Sequence, residues 1–224
     1  MMKLQNMLII GGASRNVGKT ELVCSLIKKF SRGREIITLK ISGINPGNKP
    51  GQDYDKSQIE DTGAGNETIS GQNSGKNKGS AKIAGHSEEE NPVHGHHGTP
   101  PEKYHLLEET NQDGVKDSSK MLVAGAKRAF YLRTKDEYLA EAMDHFFTII
   151  DRRSLIICES ITLRKIIEPG LFIIIKSDKV ESVKKSLGEV LHLVDLTIVS
   201  DGHSFRPGPH IISLNNHGWQ AEHG

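Results

Sequence analysis

The densest chemical signal in the chain is the run Gly12-Ala13-Ser14-Arg15-Asn16-Val17-Gly18-Lys19-Thr20. It follows the apolar segment Met7-Leu8-Ile9-Ile10 and leads directly into an amphipathic stretch. A glycine-bearing loop between a buried strand and a helix aims successive backbone N–H groups, and the positive end of the helix dipole, at an anion. A phosphate chain suits that geometry. Gly12, Ala13, Ser14, Arg15, Asn16, Val17 and Gly18 would form the cradle, Lys19 would add a point charge at the outer phosphates, and the Thr20 hydroxyl would ligate Mg2+. Glu21 stands in the first helical turn beside them. The spacing departs from the common one, in which four residues separate a first glycine from Gly-Lys-Thr. That register falls on Ala13, and Gly12 lies one residue early. Either the loop is one residue longer and starts from Gly12, or alanine is tolerated at position 13.

Such a loop needs a carboxylate on the metal side. Ser154-Leu155-Ile156-Ile157-Cys158-Glu159 ends a continuous apolar run on an acid, and ligands collect at the carboxyl ends of parallel strands. Glu159 is therefore expected to hold Mg2+, through water, or to orient an attacking water; the plain alternative is a strand-end acid facing solvent. Asp117 precedes a short helical stretch and reads either as a helix N-cap or as a second metal-side acid. Ile175-Lys176-Ser177-Asp178 is a degenerate form of the Asn/Thr-Lys-x-Asp element, in which a carboxylate accepts from two guanine N–H groups. Asp178 is thus a candidate base contact, with capping of a helix at Val180 as the alternative. GTP is preferred over ATP on this element without being decided by it.

The elements that must position these residues are legible as alternating apolar runs and amphipathic stretches, the pattern of an α/β fold. Six runs read as strands buried on both faces of a mostly parallel sheet: Met7 to Ile10, Glu35 to Leu39, Ala129 to Leu132, Leu155 to Cys158, Leu171 to Ile175 and Leu196 to Val199. Helices are predicted over Lys19 to Phe30, Ser119 to Ala126, Lys135 to Phe147 and Val180 to Val190, covering both faces of the sheet. Residues 43–103 stand apart. They hold nine apolar residues together with 11 of the 23 glycines and five of the eight prolines, which cannot build a core and reads as a long, low-complexity, disordered insertion. Residues 1–42 and 104–224 then form one nucleotide-binding domain. The insertion carries His94-Gly95-His96-His97, with His86 within it and His105 just beyond. Clustered imidazoles can capture nickel, copper or zinc, whereas a solvated loop whose histidines bind nothing specific is the plain reading. A protein partner is the expected use of such an arm.

Bulk properties narrow the rest. With 29 Lys+Arg against 28 Asp+Glu the net charge is +1, which gives no field for gathering nucleic acid or an anionic membrane surface. No apolar run approaches the roughly 18 residues of a membrane span. The Met7 to Ile10 run is also too short for a signal-peptide core of roughly 7–15 residues, so a cytoplasmic protein is expected. Cys24 and Cys158 sit in apolar segments without metal-ligand spacing and are expected to be reduced thiols used for packing. Trp219 and the Pro207-Gly208-Pro209 turn read as packing and punctuation.

Several landmarks in order resemble molybdopterin-guanine dinucleotide biosynthesis protein B. These are the phosphate loop, Gly114-Val115-Lys116-Asp117-Ser118 followed by Ala124-Gly125-Ala126, the strand-end Glu159, and Pro169 ahead of the next apolar strand. The resemblance spans roughly residues 7–41 and 104–175. It implies a P-loop NTPase fold binding GTP with Mg2+ and assisting attachment of a nucleotide to the molybdenum cofactor, with Gly18, Lys19 and Thr20 at the nucleotide and Asp117 and Glu159 near metal and phosphates. Oligomers are common in this fold, so a homodimer is among the expected partners. The chain departs from the family where Val115 separates Gly114 from Lys116, where Ser160 follows Glu159 in place of glycine, and where no histidine follows Lys40. Val17-Gly18-Lys19-Thr20 is equally similar to the loop of dethiobiotin synthetase, an ATP-dependent ligase. The expected activity is Mg2+-dependent binding of GTP or ATP with slow hydrolysis. A nucleotide-switched metallochaperone using the insertion histidines and an ATP-dependent ligase are the alternatives.

Overall fold

The computed structural model describes residues 1–44, 103–179 and 184–222. The described residues belong to the first of the chain's two units, Met1–Asn48 with Glu102–Gly224. The second, residues 49–101, on which the expected disorder, the 86–97 histidines and the expected partner arm fall, lies outside the described residues.

In chain order the first unit runs β1 (Met2–Gly12), α1 (Lys19–Phe30), β2 (Ile36–Gly43), β3 (Tyr104–Glu109), α2 (Asp117–Val123), β4 (Arg128–Thr134), α3 (Leu139–Ile149), β5 (Leu155–Glu159), β6 (Ile167–Ser177), α4 (Lys185–Gly188), β7 (Leu196–Ser200), β8 (Phe205–Arg206), β9 (Ile212–Asn215) and β10 (Gly218–Ala221). Eight strands form one sheet in the order β3-β4-β2-β5-β1-β6-β7-β8, and β9 pairs with β10 in a separate hairpin. The six inner strands are parallel, while β3 and β8 close the two edges antiparallel. The α/β class and the mostly parallel sheet expected from the apolar runs are thus present.

Side chains of a strand alternate between faces, so the inner strands feed two cores. Met7 and Ile9 of β1, Ile37 and Leu39 of β2, and Ile156 and Cys158 of β5 pack with Leu139, Met143 and Phe146 of α3. On the opposite face Leu8 and Ile10, Ile36 and Ile157 pack with Leu22, Val23, Leu26 and Ile27 of α1 and Met121 of α2. Glu159 follows Ile157 by two residues, and Lys40 follows Ile36 by four. The same alternation directs both toward the face that carries α1 and α2. The C-terminal hairpin closes this second core. Trp219 is 1% exposed, stacks edge-on against Phe30 with ring centroids 5.0 Å apart, and donates its indole N–H to Asn6 O at 3.0 Å. Lys29 clips the same hairpin by donating to the carbonyls of Pro209, His210 and Ile212. Gly218 is required there, because its φ is +105° and a Cβ would stand 2.0 Å from Gln5 O.

All six expected strands are present, but the sheet has eight. The two that the apolar runs did not reveal are edges. β3 is half-exposed and its Leu107 is 60% exposed, so no clean alternation marks it, and β8 has two residues, too few for any period. The helix starts also differ. α3 begins at Leu139, four residues late, because Asp136–Tyr138 form a 3-10 turn first. α2 begins at Asp117, with Lys116 in the cap position, so the expected N-cap role for Asp117 is not the one it takes. Of the helix expected over Val180 to Val190, the described residues show one turn, Lys185–Gly188; residues 180–183 lie outside the description. Cys24 and Cys158 are both free, as expected.

Candidate functional site

The site forms where β1 ends. Ile10 is in register with Glu159 of β5 on one side, and Gly12 with Ile175 of β6 on the other. The chain then leaves the sheet at the carboxyl edge of three adjacent parallel strands. There strand ends cannot satisfy one another and ligands are received. Ala13 continues the pairing by one bond, its N–H donating to Ile175 O at 2.8 Å, and its own carbonyl accepts from Lys184 N–H at 2.8 Å.

The question of register at the loop start resolves in favour of Gly12. A Cβ at position 12 would stand 2.7 Å from Val17 Cγ2 and 2.8 Å from Lys19 Cδ, so glycine there lets the Lys19 stem and the loop fold back over the strand end. Ala13 is buried and needs no positive φ. The positive φ values of the loop belong to Asn16 (55°) and Gly18 (81°). Five residues separate Gly12 from Gly18. Gly18 is the cap of α1 and begins the helix in a left-handed conformation, with Leu22 N–H making the first helical bond to Gly18 O at 3.0 Å. The preceding amides of the first turn have no partner within the helix and face the loop. Val17 and Ser14 are buried, whereas Arg15 and Asn16 are exposed at the loop tip. Glu21 is exposed on the first turn.

Next to the loop, Thr20 Oγ1 donates to Glu159 Oε2 at 3.1 Å, and Glu159 is 5% exposed. Cis ligands on an octahedral Mg2+ with bonds of 2.0–2.1 Å stand about 2.9 Å apart. A hydroxyl and a carboxylate held at 3.1 Å are a hard-oxygen pair of the size that such an ion takes, so the donor set fits. Lys19 Nζ lies 3.7 Å from the other oxygen, Glu159 Oε1.

Asp117 enters from the far side. The turn before α2 is tied by Asp113, whose carboxylate accepts from Val115 N–H at 2.9 Å and Ser119 Oγ at 2.8 Å. These bonds, that of Val115 first, hold the carboxyl below its usual value. Asp117 then begins the helix, where a negative charge suits the dipole. It reaches the site through Lys40: the Lys40 ammonium donates to Asp117 Oδ2 and lies 3.7 Å from Glu159 Oε1. Thr20 and Glu159 of the expected metal set are brought together directly, and Asp117 joins them across a lysine. Among the described residues, no group of three or more His, Cys, Asp and Glu side chains is arranged to hold a metal ion.

Two cations of the site were not foreseen. Lys40 sits at the carboxyl end of a buried strand, and its place after Thr38 and Leu39 in a period-two run was a usable signal. Lys184, just before α4, faces the loop. Its ammonium is held below the usual 10.5 by burial first, then by the positive charges of Lys19, Arg15 and Lys40, against which Glu159 acts in the opposite direction. No sequence pattern marks it, because its place beside the loop rests on tertiary contact, including its N–H bond to Ala13 O.

Asp178 lies on the other side of the loop, its N–H donating to Ser200 O at 2.9 Å and its carboxylate 3.9 Å from the Arg206 guanidinium. With Asn16, Val17 and the Ser200-Asp201-Gly202 turn it lines a cavity of about 120 Å³. The strand ends thus bring Asp178 beside the loop; Val180, where the helix it was alternatively expected to cap would start, lies outside the described residues, and α4 has Lys184 as its cap.

No helix among the described residues is long and apolar enough to cross a membrane. No protein-family model, no curated protein and no solved structure matches this chain.

Proposed function

We propose that the chain binds a nucleoside triphosphate, GTP or ATP, together with Mg2+ at the loop between β1 and α1 and hydrolyses it slowly, as a P-loop NTPase. The observation that carries this reading is the Thr20–Glu159 pair beside Lys19, at the mouth of a glycine loop that leads into a helix N-terminus. Around the two acids Glu159 and Asp117 stand Arg15, Lys19, Lys40 and Lys184, an excess of positive charge that suits a polyanion.

In this reading the loop amides and the first turn of α1 cradle the phosphates, and Lys19 turns from Glu159 to neutralise their charge. Thr20 and Glu159 hold Mg2+, which supplies charge neutralisation at the transferring phosphoryl group. Lys40 keeps Asp117 and Glu159 close despite their like charge. Asp178 and the Ser200 turn receive the base. The order of these landmarks resembles molybdopterin-guanine dinucleotide biosynthesis protein B, and a role in nucleotide attachment to a cofactor is the pathway reading that goes with it.

The test is calorimetric titration of ATP and GTP, each with and without Mg2+, into the wild-type chain and Lys19→Ala. Magnesium-dependent binding that the substitution abolishes is the expected result, and a GTP preference would favour the cofactor-biosynthesis relationship over the ligase. Absence of binding by either nucleotide would refute the proposal.

A further inference from the structure

A second cavity, of about 540 Å³, opens between α1 and α2 beside Thr20. Its size is that of a small-molecule site. Thr20 forms its inner end, Cys24, Ser25 and Lys28 of α1 form one wall, and Lys120 and Val123 of α2 form the other. Lys28 and Lys120 line the cleft together with Glu21 and the apolar Val123 and Ala124. The charges act inside the cleft. The half-buried Cys24 thiol is raised above its usual 9.0 mainly by burial, while Lys28 and then Lys120 pull it down. Glu21, at the rim, and then Glu159 push the same thiol up. Lys120 also lies 4.0 Å from Asp117, which ties the α2 wall to the acids of the first site.

We infer that this cleft is the site of a second ligand, a small organic anion with a carboxylate or phosphate head and an apolar body, held by Lys28 and Lys120 next to Thr20. The inference deepens the nucleotide reading by naming the class of molecule that meets the phosphate end of the nucleotide. The anionic head lies between the two ammonium groups and the body lies along Val123 and Ala124. A neutral or cationic molecule of the same length gains nothing from that pair of charges.

The chain provides its own reporter. It has two cysteines, Cys158 is fully buried, and Cys24 lines the cleft. Alkylation of Cys24 by iodoacetamide, followed by mass spectrometry of the full chain, therefore reads occupancy without reference to activity. The probes are adipate, hexyl phosphate, 1,6-hexanediol and 1,6-diaminohexane at matched ionic strength. Adipate or hexyl phosphate at about ten times its dissociation constant is expected to slow Cys24 alkylation about tenfold. Whichever of the two protects at lower concentration identifies the head group. Protection is expected to vanish in the Lys28→Met/Lys120→Met variant, whose fold is checked by its circular dichroism and melting temperature. It is expected to persist in Lys19→Ala, so that failure of the nucleotide site and failure of this cleft are separable. Equal protection by the diol or the diamine, no protection by either anion, or protection that survives loss of both lysines would each overturn the inference.

Discussion

Replacing Lys40 by Met removes the cation that lies between two acids without removing its apolar stem. Lys40 Nζ is 3.7 Å from Glu159 Oε1, and unit charges at that distance interact by about 1 kcal/mol at the permittivity of water and about 4.5 kcal/mol at an effective value of about 20. The Lys40 side chain is 23% exposed and that of Glu159 6%, so solvent screens the pair from one side and the lower half of that range applies. Its bond to Asp117 adds to the loss, and Lys19, which remains beside Glu159, offsets part of it. The sum is a destabilisation of about 1–3 kcal/mol, or about 2–12 °C in melting temperature for a domain of this size. The same argument predicts a specific rescue. With the ammonium gone, two carboxylates and the Thr20 hydroxyl face one gap, and a divalent cation can enter it. Thermal unfolding followed by circular dichroism should show that millimolar MgCl2 raises the midpoint of Lys40→Met more than that of the wild type. NaCl of equal ionic strength should not, and Lys40→Arg should need no rescue. An unchanged midpoint in Lys40→Met, or a rescue by NaCl equal to that by MgCl2, would refute the reasoning.

Gly18→Ala forces a Cβ onto a residue with φ +81° and to 3.2 Å from the Phe205 ring, so a loss of roughly 1–2 kcal/mol in stability is expected from the left-handed conformation. Pyrophosphate affinity measured by calorimetry should fall with it, and wild-type affinity would contradict the placement of the loop amides. Lys184 is held below the usual 10.5, chiefly by burial and then by Lys19, so its charged form is disfavoured in the free protein. A bound polyanion favours that charged form, so the protein should take up protons on binding in the alkaline range below 10.5, and binding should weaken as pH rises through it. Titration of pyrophosphate at about pH 9 in two buffers of different ionisation enthalpy should therefore give different apparent heats, and Lys184→Gln should remove much of the difference. Trp219→Ala empties a fully enclosed position and deletes the bond to Asn6 O, at a cost of about 3–5 kcal/mol in denaturant unfolding. Pyrophosphate affinity of the folded fraction should be unchanged, and a loss under about 1 kcal/mol would show that the hairpin does not close the core.

Local pattern alone determined the class of this fold and the place of its loop. A strand buried on both faces must be apolar throughout, and a helix on a sheet must repeat its apolar residues every three to four positions. Met7 to Ile10, Leu155 to Cys158, Leu171 to Ile175 and the Leu22-Val23-Leu26-Ile27-Phe30 face therefore announced themselves. The same pattern placed Lys19, Thr20 and Glu159 at element ends, where functional groups are presented. It could not say which strands are neighbours, because that depends on packing over the whole sheet. Only the tertiary structure sets β5 beside β1, in the register that puts Glu159 within 3.1 Å of Thr20. Only it lays β2 against β5, so that Lys40 falls between Glu159 and an Asp117 distant in sequence. The role of Gly12 was likewise decided in space. Counting residues left Ala13 in question, while the approach of Val17 and Lys19 to the strand end shows which position has no room for a side chain.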